Sequence, residues 1–169
     1  MILFTREQWG AKHGRGKILV GAKDLVVIHH TVNPDVPCGA GLKVEARMMR
    51  VVEKNHAVKN KWDGIGYNWA AFPSGHIYEG RGWDRVGAHA HGNNSRSVGI
   101  VLFMNGDTRH PTEAAREAVR ELIQLGLDEG HISQQYDLVG HRDVWQTECP
   151  GRHVYDELAS FRPDTGGEG

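Results

Sequence analysis

The chain has 169 residues, with 20 Lys and Arg against 21 Asp and Glu, 11 His and 2 Cys. That length suits one domain, which buries roughly 68–70% of its unfolded surface and needs no disulfide to hold a core. A formal net charge of −1 offers no long-range field to nucleic acid or an anionic membrane, and no run approaches the roughly 20 apolar residues of a membrane span.

Met1-Ile2-Leu3-Phe4 is interrupted at once by Thr5-Arg6-Glu7-Gln8, so no signal peptide is expected. Leu25 to His30 is a short, β-branched apolar run that reads as a buried strand delivering histidines at its carboxyl end. From Leu42 to about Asn60, Val44, Met48, Val51, Val52 and Val58 recur near helical spacing, which predicts an amphipathic helix with those residues inward. Tyr67–Phe72 and Gly75–Glu79 flank Pro73-Ser74 as a hairpin. Ser97–Met104 reads as a central strand. Pro111-Thr112-Glu113 opens the longest helix, with Ala115, Ala118, Val119, Leu122, Ile123 and Leu125 buried as far as Gly130. Glu113, Arg116, Glu117 and Arg120 form its charged face. A strand at Asp137–His141 and a short helix within Gly151–Phe161 follow, and residues 162–169 have linker composition. The alternation predicts an α/β class: a single domain over 1–161 with a central mixed β-sheet flanked by α-helices, then a tail.

Ligands of such sheets gather beyond strand carboxyl ends, and both His29 and His141 fall there. With Cys149 they make a borderline-soft N, N, S donor set that suits Zn²⁺ and leaves a fourth position open. Strand alternation puts His29 and His30 on opposite faces, so only one of them can share an ion with His141. The two cysteines, Cys38 and Cys149, lack C-x-x-C spacing, which excludes a disulfide framework, a thioredoxin motif and a four-cysteine zinc site. Taken singly, each residue of the set also fits a packed histidine or a small buried thiol.

Several segments, in order, carry more. They are Arg6-Glu7-Gln8-Trp9-Gly10-Ala11, Val27-Ile28-His29-His30-Thr31, and Trp62-Asp63-Gly64-Ile65-Gly66-Tyr67-Asn68-Trp69. Then come Ile77 through His89, Asn94 through Ile100, Gly140-His141-Arg142-Asp143 and Thr147-Glu148-Cys149-Pro150-Gly151. Together they resemble the zinc-dependent N-acetylmuramoyl-L-alanine amidases of the peptidoglycan recognition protein and phage-lysin type, over nearly the whole chain up to Arg162. The resemblance implies that fold, one Zn²⁺ held by His29, His141 and Cys149, and catalytic assistance from Tyr67 and Thr147. It implies hydrolysis, by zinc-activated water, of the amide between N-acetylmuramic acid and the L-alanine of the stem peptide in bacterial peptidoglycan. Some phage members carry Lys where this chain has Thr147.

His89 is expected to contact substrate, Arg85 to pair with a stem-peptide carboxylate, and Trp83, Trp62 and Trp69 to offer faces for sugar rings, with buried aromatic packing the expected role of at least one of the three. Cys38 has no nearby cysteine, unlike animal members of the family, so it is expected to be a free thiol. With no signal peptide, the reading is a monomeric phage endolysin or its catalytic domain, made in the host cytoplasm and acting on the wall after release. Two rivals are a module that binds peptidoglycan without cutting it and a regulator that binds another macromolecule. Cys149, the third ligand, favours the enzyme.

Overall fold

Leu25-Val26-Val27-Ile28 presents branched side chains to both faces, which suits a strand covered on both sides. The computed structural model, which describes residues 1–163, places this run in β2 (Lys23–His30), where only Asp24 is exposed. β2 lies between β5 (Ser97–Leu102) and β6 (Ile132–Gly140) and runs parallel to both. On its other edge β5 is parallel to β3 (Trp69–Ala71), which forms an antiparallel hairpin with β4 (His76–Glu79). β1 (Ile2–Phe4) completes one mixed sheet in the order β1-β4-β3-β5-β2-β6.

Helices cover both faces. Thr112 caps α3 (Glu113–Asp128) by accepting the Ala115 N–H at 3.1 Å, a contact worth about 1 kcal/mol. Val119, Leu122 and Ile123 then share a core with Val26, Ile28, Val98 and Ile100. On the other side Met49 and Val52 of α2 (Leu42–Lys54) join Ala70, Phe72, Val101 and Phe103. Lys23 opens β2 with a buried ammonium that donates to the carbonyls of Leu19 (3.1 Å), Gly21 (2.9 Å) and Trp83 (3.3 Å). Desolvation lowers its pKa, and the three carbonyls keep the charge tolerable.

The inward stripe of α2 differs from the expected one. Val52 is buried as expected, but Val44, Val51 and Val58 are 45, 39 and 49% exposed, and Glu45, Met49 and Glu53 are buried instead. The two carboxylates are accommodated because both are hydrogen bonded. Glu45 accepts from Ser74 Oγ (2.6 Å) and Tyr78 OH (2.9 Å) and meets His76 Nδ1 at 2.8 Å. Glu53 accepts the N–H groups of Lys12 (3.0 Å) and His13 (3.3 Å) and a guanidinium N–H of Arg6 (3.4 Å). After Lys54 the chain widens into a π turn over Asn55–Lys59, so the regular helix stops short of Asn60.

Two further differences concern the ends. The first residues form β1 and α1 (Arg6–Trp9), neither of them expected, and Trp9 is buried with its indole N–H on the Glu79 carbonyl at 2.8 Å. The single helix expected within Gly151–Phe161 is α4 (Arg152–Asp156) followed by a 3₁₀ turn at Leu158–Phe161. The expected tail lies, beyond Pro163, outside the described residues. Among the described residues no helix is long and apolar enough to cross a membrane.

Candidate metal centre

Alternation along β2 sends Val26 and Ile28 toward α3, and Leu25 and Val27 to the other face with Ala90. His29 follows the second set and is 1% exposed. His30 turns the other way, its Nδ1 accepting the Gly106 N–H at 3.1 Å. Because Gly140 at the end of β6 pairs with Ile28, the residue just after the strand, His141, emerges beside His29 at the start of a 3₁₀ turn. Their ring centroids stand 4.5 Å apart.

Cys149 reaches the same point through a clasped loop. The Arg142 N–H donates to the Cys149 carbonyl (2.9 Å), the Gly140 N–H to Asp143 Oδ2 (2.8 Å) and the Gly151 N–H to the Glu148 carbonyl (2.8 Å). Cys149 Sγ thereby lies 3.6 Å from His29 Nδ1, although the two residues are 120 positions apart. Ligand atoms of His29, His141 and Cys149 all fall within 4.8 Å of one another. Two tetrahedral ligands at the usual Zn–N and Zn–S lengths stand about 3.6 Å apart, so the observed spacing fits that ion.

The electrostatics fit it as well. Burial, then the neighbouring His89 and His141, hold His29 well below the usual histidine range, and burial lowers His141 too. Both rings are therefore neutral donors at pH 7. Burial pushes the Cys149 thiol up to about 11, a preference that coordination to a divalent cation reverses. Cys38 is a free, exposed thiol and takes no part.

The three residues wall a cavity of about 390 Å³ that Tyr67, Thr147 and Trp62 also line. Tyr67 sits with its ring centroid 5.2 Å from that of His29. Burial, then the proximity of Cys149, raises its pKa, so the phenol keeps its proton. Thr147 Oγ1 accepts the Cys149 N–H at 3.2 Å, which leaves its own proton to donate. A second cavity of about 330 Å³ shares Trp62, His89 and His141 and adds Trp145. Trp62 and Trp145 are 39 and 49% exposed, as a binding wall requires.

Three expected substrate contacts stand elsewhere or differently. Trp83 is not in either cavity lining; it packs at 4.8 Å from Trp69 and stacks on His131 at 5.2 Å, partly buried against the α3 core. Trp69 is itself buried. Arg85 also lies outside both linings, its Nη1 donating to the Gly16 carbonyl at 3.0 Å. His89 does border both, yet it is 8% exposed and its Nδ1 lies 2.9 Å from His29 Nε2.

Trp145 falls in none of the expected substrate contacts, although its place between His141 and Cys149 in the sequence is a usable signal. His56, which belongs to none of the sequence segments that carry the resemblance, lines the larger cavity and accepts the Gly66 N–H on Nδ1 at 3.0 Å. Burial, then Arg81, holds His56 near 4 against an ordinary 6.5. The unfolded chain binds the extra proton between those values, so the contribution of His56 is intact above pH 6.5 and is lost as pH falls toward 4. His56→Asn, which keeps an acceptor, should flatten the fall of Tm across that window. Identical slopes for variant and parent would show that His56 does not titrate this way.

A family profile described as N-acetylmuramoyl-L-alanine amidase matches residues 20–152, and the chain belongs to that family. The human N-acetylmuramoyl-L-alanine amidase is 36% identical over 162 residues, which cover 94% of this chain but 28% of that protein. This chain thus spans less than a third of that relative. Drosophila peptidoglycan-recognition protein LB has the same fold at a TM-score of 0.89 and 36% identity, covering 94% of this chain and 93% of that one. A mutant of the same protein, solved in complex with tracheal cytotoxin, gives a TM-score of 0.89 at 35% identity and covers 94% of each chain.

Proposed function

We propose that this domain is a zinc-dependent hydrolase of the amide joining N-acetylmuramic acid to the first L-alanine of the peptidoglycan stem. The observation that carries the reading is the thiol of Cys149 completing the set with His29 and His141, beside two protic side chains in one cavity. A recognition-only module needs no third ligand. The named ligands of the solved neighbours, tracheal cytotoxin and a glycosamyl muramyl pentapeptide, support a muropeptide as the occupant.

His29, His141 and Cys149 would hold the ion. When bound, it supplies polarisation of the scissile carbonyl and acidification of the attacking water. As attack proceeds, negative charge gathers on the carbonyl oxygen. The Tyr67 phenol, kept protonated by burial, donates a hydrogen bond toward it, and the Thr147 hydroxyl donates a second. Both serve as donors rather than bases, because neither ionises at neutral pH. Trp62 and Trp145 give the rim apolar faces against which a pyranose ring can lie.

A lytic setting, with the enzyme made in a reducing cytoplasm and acting on the wall after release, completes the proposal. It is supported by the free Cys38 thiol, since secreted domains of this size often carry disulfides. The decisive experiment is mass spectrometry of muropeptides digested by chelator-stripped protein with and without added Zn²⁺. Zinc-dependent release of intact stem peptide with a free L-alanine amine is expected. Cleavage between sugars, or full activity without metal, would overturn the assignment.

A further inference from the structure

A histidine can offer Nδ1 to a cation only when its ring proton sits on Nε2. For His29 that choice is decided by a neighbour, since His89 Nδ1 lies 2.9 Å from His29 Nε2 and a single proton occupies the space between two neutral rings. At the far edge of His89, Nε2 is 3.3 Å from Ser97 Oγ. Ser97 has already spent its own proton on the Asn93 carbonyl, at 2.7 Å.

The direction of the whole chain follows from its last acceptor. A carbonyl only accepts, so the Ser97 O–H points to Asn93, and the Ser97 oxygen must accept from His89 Nε2–H. His89 has no carboxylate among its hydrogen-bond partners, so the ring is neutral and its Nδ1 accepts. The proton between the rings therefore belongs to His29 Nε2, and the lone pair of His29 Nδ1 faces Cys149 Sγ.

The fold makes room for this ring. A Cβ on Gly99 of β5 would come within 2.5 Å of His89 Cγ, and one on Gly87 within 2.4 Å of His89 Cδ2. Asn94 Oδ1 fixes the backbone beneath it by accepting the N–H groups of His89 (2.8 Å) and Ala90 (2.9 Å). Two glycines from separate segments and an asparagine thus hold one buried side chain in place.

We infer that His89 is a positioning residue: a one-way relay from His29 through His89 and Ser97 to the Asn93 carbonyl sets the His29 tautomer and aims Nδ1 at the metal position. The inference rests on the ion site proposed above. The role differs from a substrate contact, which would leave metal affinity untouched.

The first test is NMR of ¹⁵N-histidine-labelled protein, zinc-free and zinc-loaded. The expected spectrum shows the proton on His29 Nε2, coupled across the hydrogen bond to an unprotonated His89 Nδ1. A proton on His89 Nδ1 would overturn the relay. The second test is chelator competition for Zn²⁺. His89→Leu should weaken affinity by about 10–100-fold, while His89→Asn, which retains an acceptor at the Nδ1 position, recovers most of that loss. Ser97→Ala removes only a hydroxyl and should weaken affinity in the same direction, so the idea stays testable if His89→Leu fails to fold. Unchanged affinity in all three variants would sink it. Parent protein that takes up no zinc would instead sink the ion site, leaving the zinc-free spectrum to decide the relay.

Discussion

Cys149→Ala should reduce muropeptide hydrolysis by about 10³-fold or more and release bound zinc, while the protein remains folded. The size follows from the several kcal/mol that a Lewis acid contributes to a charged transition state, at about 1.4 kcal/mol per tenfold in rate. Retention of the fold follows from the place of Cys149 at the end of a loop. The clasp around it runs through main-chain atoms of Gly140, Arg142, Glu148 and Gly151 and the Asp143 carboxylate, none of which needs the thiol. In a domain of this size each kcal/mol moves Tm by roughly 2–4 °C, so the metal-free forms of variant and parent should melt within a few degrees of each other. Zinc-to-protein stoichiometry, turnover and Tm measured on one preparation check the three claims together. A variant that keeps its zinc and its rate would remove Cys149 from the site.

Tyr67→Phe isolates a different contribution. The phenyl ring fills the same space beside His29, and only the hydroxyl is lost, so packing and metal content should be unchanged. Removal of one donor to a developing oxyanion typically costs about 10²–10³ in turnover. The loss should appear in kcat with KM little altered, because the hydrogen bond strengthens only as charge develops. A loss carried by KM instead would mean that Tyr67 holds the ground-state muropeptide and does not act on the reacting carbonyl.

The candidate donor set is partly legible from residue types. Few side chains bind a borderline cation, so His29, His141 and Cys149 stand out as candidates, but taken singly each also fits a packed histidine or a small buried thiol, and it is the ordered series of family segments that selects the set. What surrounds the site is harder to read. Trp83 follows a glycine-rich turn and looks like a cleft residue, but sequence does not say on which side of the sheet a loop aromatic lands. It lands under α3, against Trp69 and His131, while Trp62 and Trp145 form the exposed walls.

The same limit hides the inward face of α2. Helical periodicity finds apolar stripes, and Val44, Met48, Val51, Val52 and Val58 make one, yet of these only Val52 is buried, and the protein buries Glu45 and Glu53 beside it. Partners far along the chain make those carboxylates good core residues: Ser74, His76 and Tyr78 for the first, the amides of Lys12 and His13 for the second. No local pattern announces a charge that will be satisfied at such a distance. His89 shows another side of the same limit: it is expected at the substrate, and its ring lies 2.9 Å from that of His29.

The double covering of β2 has one more consequence. In a strand with one wet face, sliding by a single residue exposes half the apolar side chains, and the hydrophobic pattern itself forbids the error. Leu25-Val26-Val27-Ile28 reads almost the same after such a slide, and the tandem His29-His30 would still present an imidazole to Cys149, but the wrong one, without His89 behind it. Apolar burial is therefore nearly blind to a mistake that would destroy the site. The safeguard has to be polar and sit at the strand's two ends, where the Lys23 ammonium grips three carbonyls and the His30 ring takes the Gly106 amide. A slide of β2 would break the contacts of Lys23 with the Trp83 carbonyl and of His30 with the Gly106 amide, and neither residue belongs to the His29, His141 and Cys149 set.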